Sequence, residues 1–263
     1  MDLQLKDKKA FIAGSSKGLG YAAARGLGLE GARITLNSRH AESLSHAAET
    51  LAKECGIDVY TAAGDVSEPA AAEKVIYQAA EMLGGLDLLI TNSGGPPTGK
   101  FEDFDDSQWQ MGIEQVFLSH VRLIRAALPY LRDSDAASVL TITSLSVKQP
   151  ISNLVLSNSI RAATVGLTKS LALELGGDGI RFNSILPGWT QTERVYQLMA
   201  DRAEINNSNI EDEFKKQAME SPFKRMATTE EFANSAVFLL SPAASYLTGV
   251  MLTVDGGMLK GIF

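Results

Sequence analysis

Residues 8–20 read KKAFIAGSSKGLG: a short apolar run closes on Gly14, and Gly18 and Gly20 follow where a helical pattern begins. A glycine turn between a strand and a helix lets backbone N–H groups approach a pyrophosphate, whose charge the positive end of the helix dipole then favours. A glycine triplet alone is a weak signal. The strand before it and the helix after it are the context that makes this one a dinucleotide-binding turn. Gly14, Ser16, Lys17, Gly18 and Leu19 are its candidate phosphate contacts.

The same alternation continues along the chain. ARITLNS (32–38), DVYTAAG (58–64), LDLLITN (86–92), ASVLTITS (137–144), IRFNSILPG (180–188) and MLTVDGG (251–257) are further short runs, rich in β-branched residues and apolar on both faces. Such runs suit the middle of a parallel sheet. Helical spacings separate them at about 18–30, 41–54, 68–83, 105–132, 152–176 and 229–240, which implies right-handed crossovers and an α/β, Rossmann-type doubly wound parallel sheet of about seven strands. No internal repeat or Pro/Gly/Ser linker divides the chain, so residues 1–263 are expected to form a single domain. The stretch 193–222 breaks the rhythm with Met, Tyr and Leu at helical spacings around a polar centre. Its place beyond the carboxyl end of a strand predicts a substrate lid, the alternative being a surface insertion.

With 24 Lys and Arg against 31 Asp and Glu, the net charge is −7. That balance, without a basic block, argues against a nucleic-acid or anionic-membrane binder and for a small-molecule substrate. One cysteine, Cys55, excludes an intrachain disulfide or a thiolate cluster, and His40, His46 and His120 show no metal-ligand spacing. The charged start MDLQLKDKKAF lacks the apolar segment of a signal peptide, and no apolar run approaches the roughly 18 residues of a membrane span. The expectation is a cytoplasmic protein with no metal.

The three-residue gap between Gly14 and Gly18 resembles the TGxxxGxG turn of the short-chain dehydrogenase/reductase family, with Ala13 in place of the Thr. Further landmarks follow in order over nearly the whole chain. Asp65 and Val66 match the DV pair beside the adenine ring, and Asn92 in TNSGG matches the second Asn of NNAG. Ser144 in ITSLS matches the catalytic serine, and PGWTQT (187–192) matches the strand end near the nicotinamide, which brings in Pro187, Gly188, Thr190 and Thr192. The resemblance, to 3-oxoacyl-ACP-reductase-like members in particular, implies a nicotinamide cofactor and a homo-oligomer, tetramer or dimer, with 105–132 and 152–176 packing across one interface and the C-terminal MLKGIF near another.

Charge at the end of the second strand selects the cofactor. An NAD-selective site places a carboxylate there to hold the ribose hydroxyls. This chain has Asn37, Ser38 and Arg39, together with Lys17 in the turn, which favours NADP(H), with NAD(H) as the alternative; the bland reading of both cations is solvated surface.

The catalytic pattern departs from the family's. Members use a Ser, a Tyr and a Lys four residues after the Tyr, often with an Asn on the preceding long helix. Here Ser157 and Arg161 stand at the Tyr and Lys positions, the motif reading SNSIR, and Val116 stands where the Asn is expected. No tyrosine is followed four residues later by lysine. A guanidinium can hold ribose hydroxyls and keep a positive charge at the site, but it does not deprotonate in proteins and cannot join a proton relay. The expected catalytic set is therefore Ser144, Ser157 and Arg161, with Tyr196, His120 and Lys148 as substitute acids, each weighed against a packing or surface role. The expected function is an NADP(H)-dependent interconversion of a carbonyl and a secondary alcohol at an atypical active site. The alternatives are a catalytically silent nucleotide-binding sensor or subunit, and a different nicotinamide-dependent reduction. The apolar residues of 193–222 suggest a partly hydrophobic substrate.

Overall fold

In the computed structural model, which describes residues 1–262, all seven expected strands form: β1 (Lys9–Ile12), β2 (Arg33–Ser38), β3 (Val59–Ala63), β4 (Leu88–Thr91), β5 (Ser138–Ile142), β6 (Arg181–Pro187) and β7 (Met251–Val254). They make one parallel sheet in the order β3-β2-β1-β4-β5-β6-β7. Order reverses between β1 and β4, and the crevice beyond their carboxyl ends is where ligands of such sheets bind. Phe263, the last residue of MLKGIF, lies outside the described residues.

Helices cover both faces because every central strand is apolar on both. α1 (Gly18–Leu29), α2 (Ala41–Cys55) and α9 (Thr229–Leu240) bury Leu27, Leu44, Leu51, Phe232 and Leu240 against one face. α3 (Pro69–Leu83) and α5 (Ser119–Arg132) bury Val75, Ile76, Leu123, Ile124 and Leu131 against the other, joined by Ala172 of α6 (Val155–Glu174). Local chemistry fixes the helix starts: the Thr228 hydroxyl accepts from the Glu231 N–H while the Glu231 carboxylate accepts from the Thr228 N–H.

Two expectations are refined. The span 105–132 is not one continuous helix: α4 (Asp106–Ile113) and α5 are separated by a π-turn over Glu114–Leu118. The widened turn presents the Val116 carbonyl to the Thr164 hydroxyl of α6 at 3.0 Å, while Val116 packs with Leu156 and Ile160. Such turns are frequent at functional sites. The 193–222 stretch contains two helices, α7 (Glu193–Asn206) and α8 (Ile210–Ala218), started by the side chains of Thr192 and Asn209 and joined by a left-handed Asn207. Among the described residues no helix is long and apolar enough to cross a membrane.

Candidate active site

The crevice begins at the glycine turn. A Cβ on Gly20 would lie 2.4 Å from the Gly14 carbonyl oxygen, so that contact tolerates no side chain. Gly18 has φ +63°, a left-handed conformation that side chains resist, and the space about its missing Cβ is open, with only the Thr192 methyl as near as 4.0 Å. The Asn92 amide at the end of β4 donates to the Gly14 carbonyl at 3.1 Å, tying the turn to the far side of the crevice. A Cβ on Gly188 would meet the Asp255 backbone at 2.8 Å, so Pro187, Gly188 and Thr190 are held closely against the loop after β7. Bare backbone facing open space at Gly18, above a helix N-terminus, fits the pyrophosphate of a dinucleotide.

The residues expected at the adenosine end also converge. Asn37 is buried and donates to the Ala62 and Gly64 carbonyls, fixing β2 beside β3. Asp65 accepts from the Ser67 N–H and hydroxyl, its other oxygen lies 3.8 Å from the Arg39 guanidinium, and Val66 is buried next to it. Arg39 is largely exposed, with Ser38 on the crevice side of it bonded to the His40 carbonyl. Lys17 does not stand free: its ammonium pairs with Glu193, the first residue of α7, across the mouth of the crevice.

The catalytic end is organised by Arg161. Its side chain is buried, its Nε donates to the Ser157 hydroxyl at 3.2 Å, and one Nη donates to the carbonyls of Thr143 at 3.2 Å and Ile142 at 3.5 Å. Thr143 immediately precedes Ser144, so one guanidinium joins the end of β5 to α6 and brings the expected Ser144, Ser157 and Arg161 into one cluster. The other Nη approaches Gly95 on the loop after β4. Burial pulls the Arg161 pKa below the ordinary guanidinium value, to about 10, which still leaves it charged at neutral pH. The Ser144 hydroxyl accepts from the Ser146 N–H at 3.1 Å.

The substitute acids fare differently. His120 is buried, neither ring nitrogen has a protein partner, and burial together with the Arg161 charge lowers its pKa to about 3. It is therefore neutral at physiological pH, because a protonated ring here would be both desolvated and repelled. Tyr196 stacks on Phe214 of α8 with centroids 4.6 Å apart, packing α7 on α8. Lys148 is half-buried at the end of the short turn after Ser144.

A pocket of about 450 Å³ adjoins this cluster, between residues 145–153 on one side and α7 and α8 on the other. Leu145, Ile151, Trp189 and Met258 are apolar parts of its wall, but Gln149, Asn153, Arg202, Asn206, Lys216 and Gln217 also line it, with Glu213 and Glu220. The wall is therefore mixed: Ile205 of 193–222 adds to its apolar part, while Met199 and Ala203 of the same stretch are buried in packing. Arg202, which sequence reasoning did not single out, is half-buried over the Trp189 ring; no sequence motif marks it.

Known proteins match the sequence and fold of this chain along its length. Residues 13–259 match the family described as enoyl-(acyl carrier protein) reductase. The uncharacterized oxidoreductase YvrD of Bacillus subtilis is 34% identical over 266 residues, covering 100% of both chains. The structure of L-sorbose reductase from Gluconobacter frateurii, complexed with NADPH and L-sorbose, superposes with a TM-score of 0.95 at 34% identity and covers 100% of both chains. A short-chain oxidoreductase from Pseudomonas aeruginosa PAO1, described as containing an atypical catalytic center, has a TM-score of 0.90 at 26% identity, covering 98% of this chain and 99% of its own.

Proposed function

Because the chain belongs to the short-chain dehydrogenase/reductase family, we propose that it is an NADP(H)-dependent oxidoreductase interconverting a carbonyl and a secondary alcohol at an active site without the family's Tyr and Lys. The observation that carries this reading is the Arg161 guanidinium, bonded at once to Ser157 and to the carbonyl beside Ser144. The NADPH-bound sorbose reductase and the relative with an atypical centre support it.

The backbone of Gly14, Ser16, Gly18 and Leu19 would hold the pyrophosphate, with Lys17, Ser38 and Arg39 at the 2′-phosphate and Asp65, Val66 and Asn92 along the adenosine. Pro187, Gly188, Thr190 and Thr192 would wall the nicotinamide, and α7 with α8 would serve as the lid. When bound, the cofactor supplies or accepts the hydride. Ser157 accepts a hydrogen bond from Arg161 and Ser144 accepts one from a backbone N–H, so each hydroxyl keeps its own hydrogen to donate. Two such donors aimed at one carbonyl oxygen polarise it, and the fixed charge of Arg161 stabilises the alkoxide that develops. Arginine keeps its proton. The proton therefore reaches the oxygen from Ser157, which is half-buried and recovers it from solvent.

The test is NADPH oxidation, followed by absorbance, over ketoses, aldehydes, oxo acids and oxoacyl thioesters. Turnover by the native protein that collapses in Ser144→Ala and Ser157→Ala is expected. Turnover only by the Ser157→Tyr, Arg161→Lys double variant would instead mark the native chain as a nucleotide-binding protein that is silent on these substrates. We also propose a homo-oligomer, since Met251 and Leu252 on the edge strand β7 and the fully exposed Tyr246 leave apolar surface uncovered; light scattering checks it.

A further inference from the structure

We infer that Arg202 anchors a carboxylate on the substrate, so that the carbonyl compound handled at Ser144 and Ser157 is an oxo acid. The inference rests on the oxidoreductase reading and deepens it. The guanidinium carbon of Arg202 lies 5.2 Å from the centroid of the Trp189 ring, and one Nη donates to the Gln217 side-chain oxygen at 2.5 Å. Gln217 is itself buried, and Trp189 follows Gly188 at the end of β6. A guanidinium with one face on an indole and one donor spent on a buried amide has already lost its rotamer freedom, so little entropy remains to be lost when a ligand binds.

What it lacks is an anion. Among the described residues no carboxylate lies within 4 Å of Arg202. Glu213 on α8, which lines the same pocket, accepts from the Asn206 amide at 3.0 Å and the Ser208 hydroxyl at 2.7 Å, which ties it to the α7–α8 turn. These two hydrogen bonds, helped by Lys216 and Arg202, hold Glu213 below the usual carboxylate range, so it stays charged and cannot donate to a ligand. Lys216 lines the same pocket as a second cation and Glu220 as a second acid. Arginine's planar fork pairs with a carboxylate through two parallel hydrogen bonds, a match that a neutral hydroxyl cannot make.

The pocket gives the anchor its place. Leu145, the neighbour of Ser144, and Trp189 share its wall with Arg202, so the anchor and the chain next to Ser144 border one cavity. A carbonyl placed between anchor and hydroxyls is what the arrangement selects.

The experiment uses the full-length protein saturated with NADPH, and compares short 2-oxo and 3-oxo acids with their methyl esters. Affinities from thermal shift are measured for the native chain, Arg202→Gln and Arg202→Lys, so the readout does not depend on turnover. Native protein should bind at least one acid about tenfold more tightly than its ester, a difference readily resolved in Kd. Arg202→Gln should erase that preference, and Arg202→Lys should keep part of it. NADPH affinity and ligand-free Tm, which a merely structural role for Arg202 would move, should stay within error in the Lys variant. Where turnover is seen, the loss should appear in KM for the acid and not in kcat. Equal binding of acid and ester, a preference for a neutral ketose, or an acid preference that survives Arg202→Gln would each overturn the inference while leaving the oxidoreductase reading intact. Failure of every carbonyl to turn over, with acid binding lost in Arg202→Gln, would overturn the reading and keep the anchor.

Discussion

The two ends of the crevice are built from different materials. At the glycine turn the contacts are backbone: Gly14, Gly18 and Gly20 matter for the side chains they lack, and any L-residue at Gly20 collides with a carbonyl 2.4 Å away. At the catalytic end they are side chains: Arg161, Ser157 and Ser144 are positioned by hydrogen bonds that another residue set could make differently. The difference teaches where such a fold can change. A backbone cradle cannot be redrawn without losing the turn, whereas side-chain contacts can be exchanged residue by residue.

Breaking the backbone end should have the largest effect. Gly20→Ala forces the turn apart, and we expect loss of detectable NADPH binding in a fluorescence titration, with about 1–3 kcal/mol of stability lost to overpacking. Retained binding would show that the cradle is less rigid than its contacts imply. Next comes the side-chain end: Arg161→Met removes the donor to Ser157 and to two carbonyls, and kcat should fall by about 10²–10³, the range for losing one electrostatic stabiliser, while NADPH affinity changes far less. Equal losses in kcat and in cofactor affinity would mean that the two ends are not separable.

A smaller effect tests the wall behind Arg161. The folded protein withholds from His120 a proton that the unfolded chain takes up below pH 6.5, since its folded pKa is about 3. Stability from this group is therefore complete above pH 6.5 and is lost as pH falls toward 3. Urea unfolding of His120→Phe should show a flatter acid limb than the native protein across that window. The smallest effect is expected at Arg39→Asp, where an exposed cation meets a phosphate in water. The preference for NADPH over NADH should narrow by about tenfold, or 1.4 kcal/mol, and equal native affinities for the two would sink the charge argument.

The fold and the cofactor end were legible because they depend on patterns that survive as text. Short two-sided apolar runs are parallel strands wherever they occur, and glycine spacing is written directly in the sequence. At the other end the sequence offered Ser144, Ser157 and Arg161 and the absence of Tyr and Lys but not how they connect, since the bond from Arg161 to the Thr143 carbonyl joins residues 18 apart and no periodicity reveals it. The π-turn at Glu114–Leu118 was hidden because one widened turn shifts a helical period too little to notice. Counting turns left His120 open between the cleft and the core, and it is buried. Arg202 was invisible for a related reason: a lone arginine in a polar helix has no pattern, and only its seat over Trp189 distinguishes it.

The ion pair between Lys17 and Glu193 bears on the timing of catalysis. It bridges the glycine turn and the first residue of α7, both ends being about two-thirds exposed. A phosphate that engaged Lys17 would leave Glu193 without its partner, so cofactor loading would be felt at the root of α7. Since an exposed pair of this kind is worth only about 0–1 kcal/mol and is screened by salt, ionic strength would act as a throttle on the whole cycle, quickening exchange at the cost of the grip.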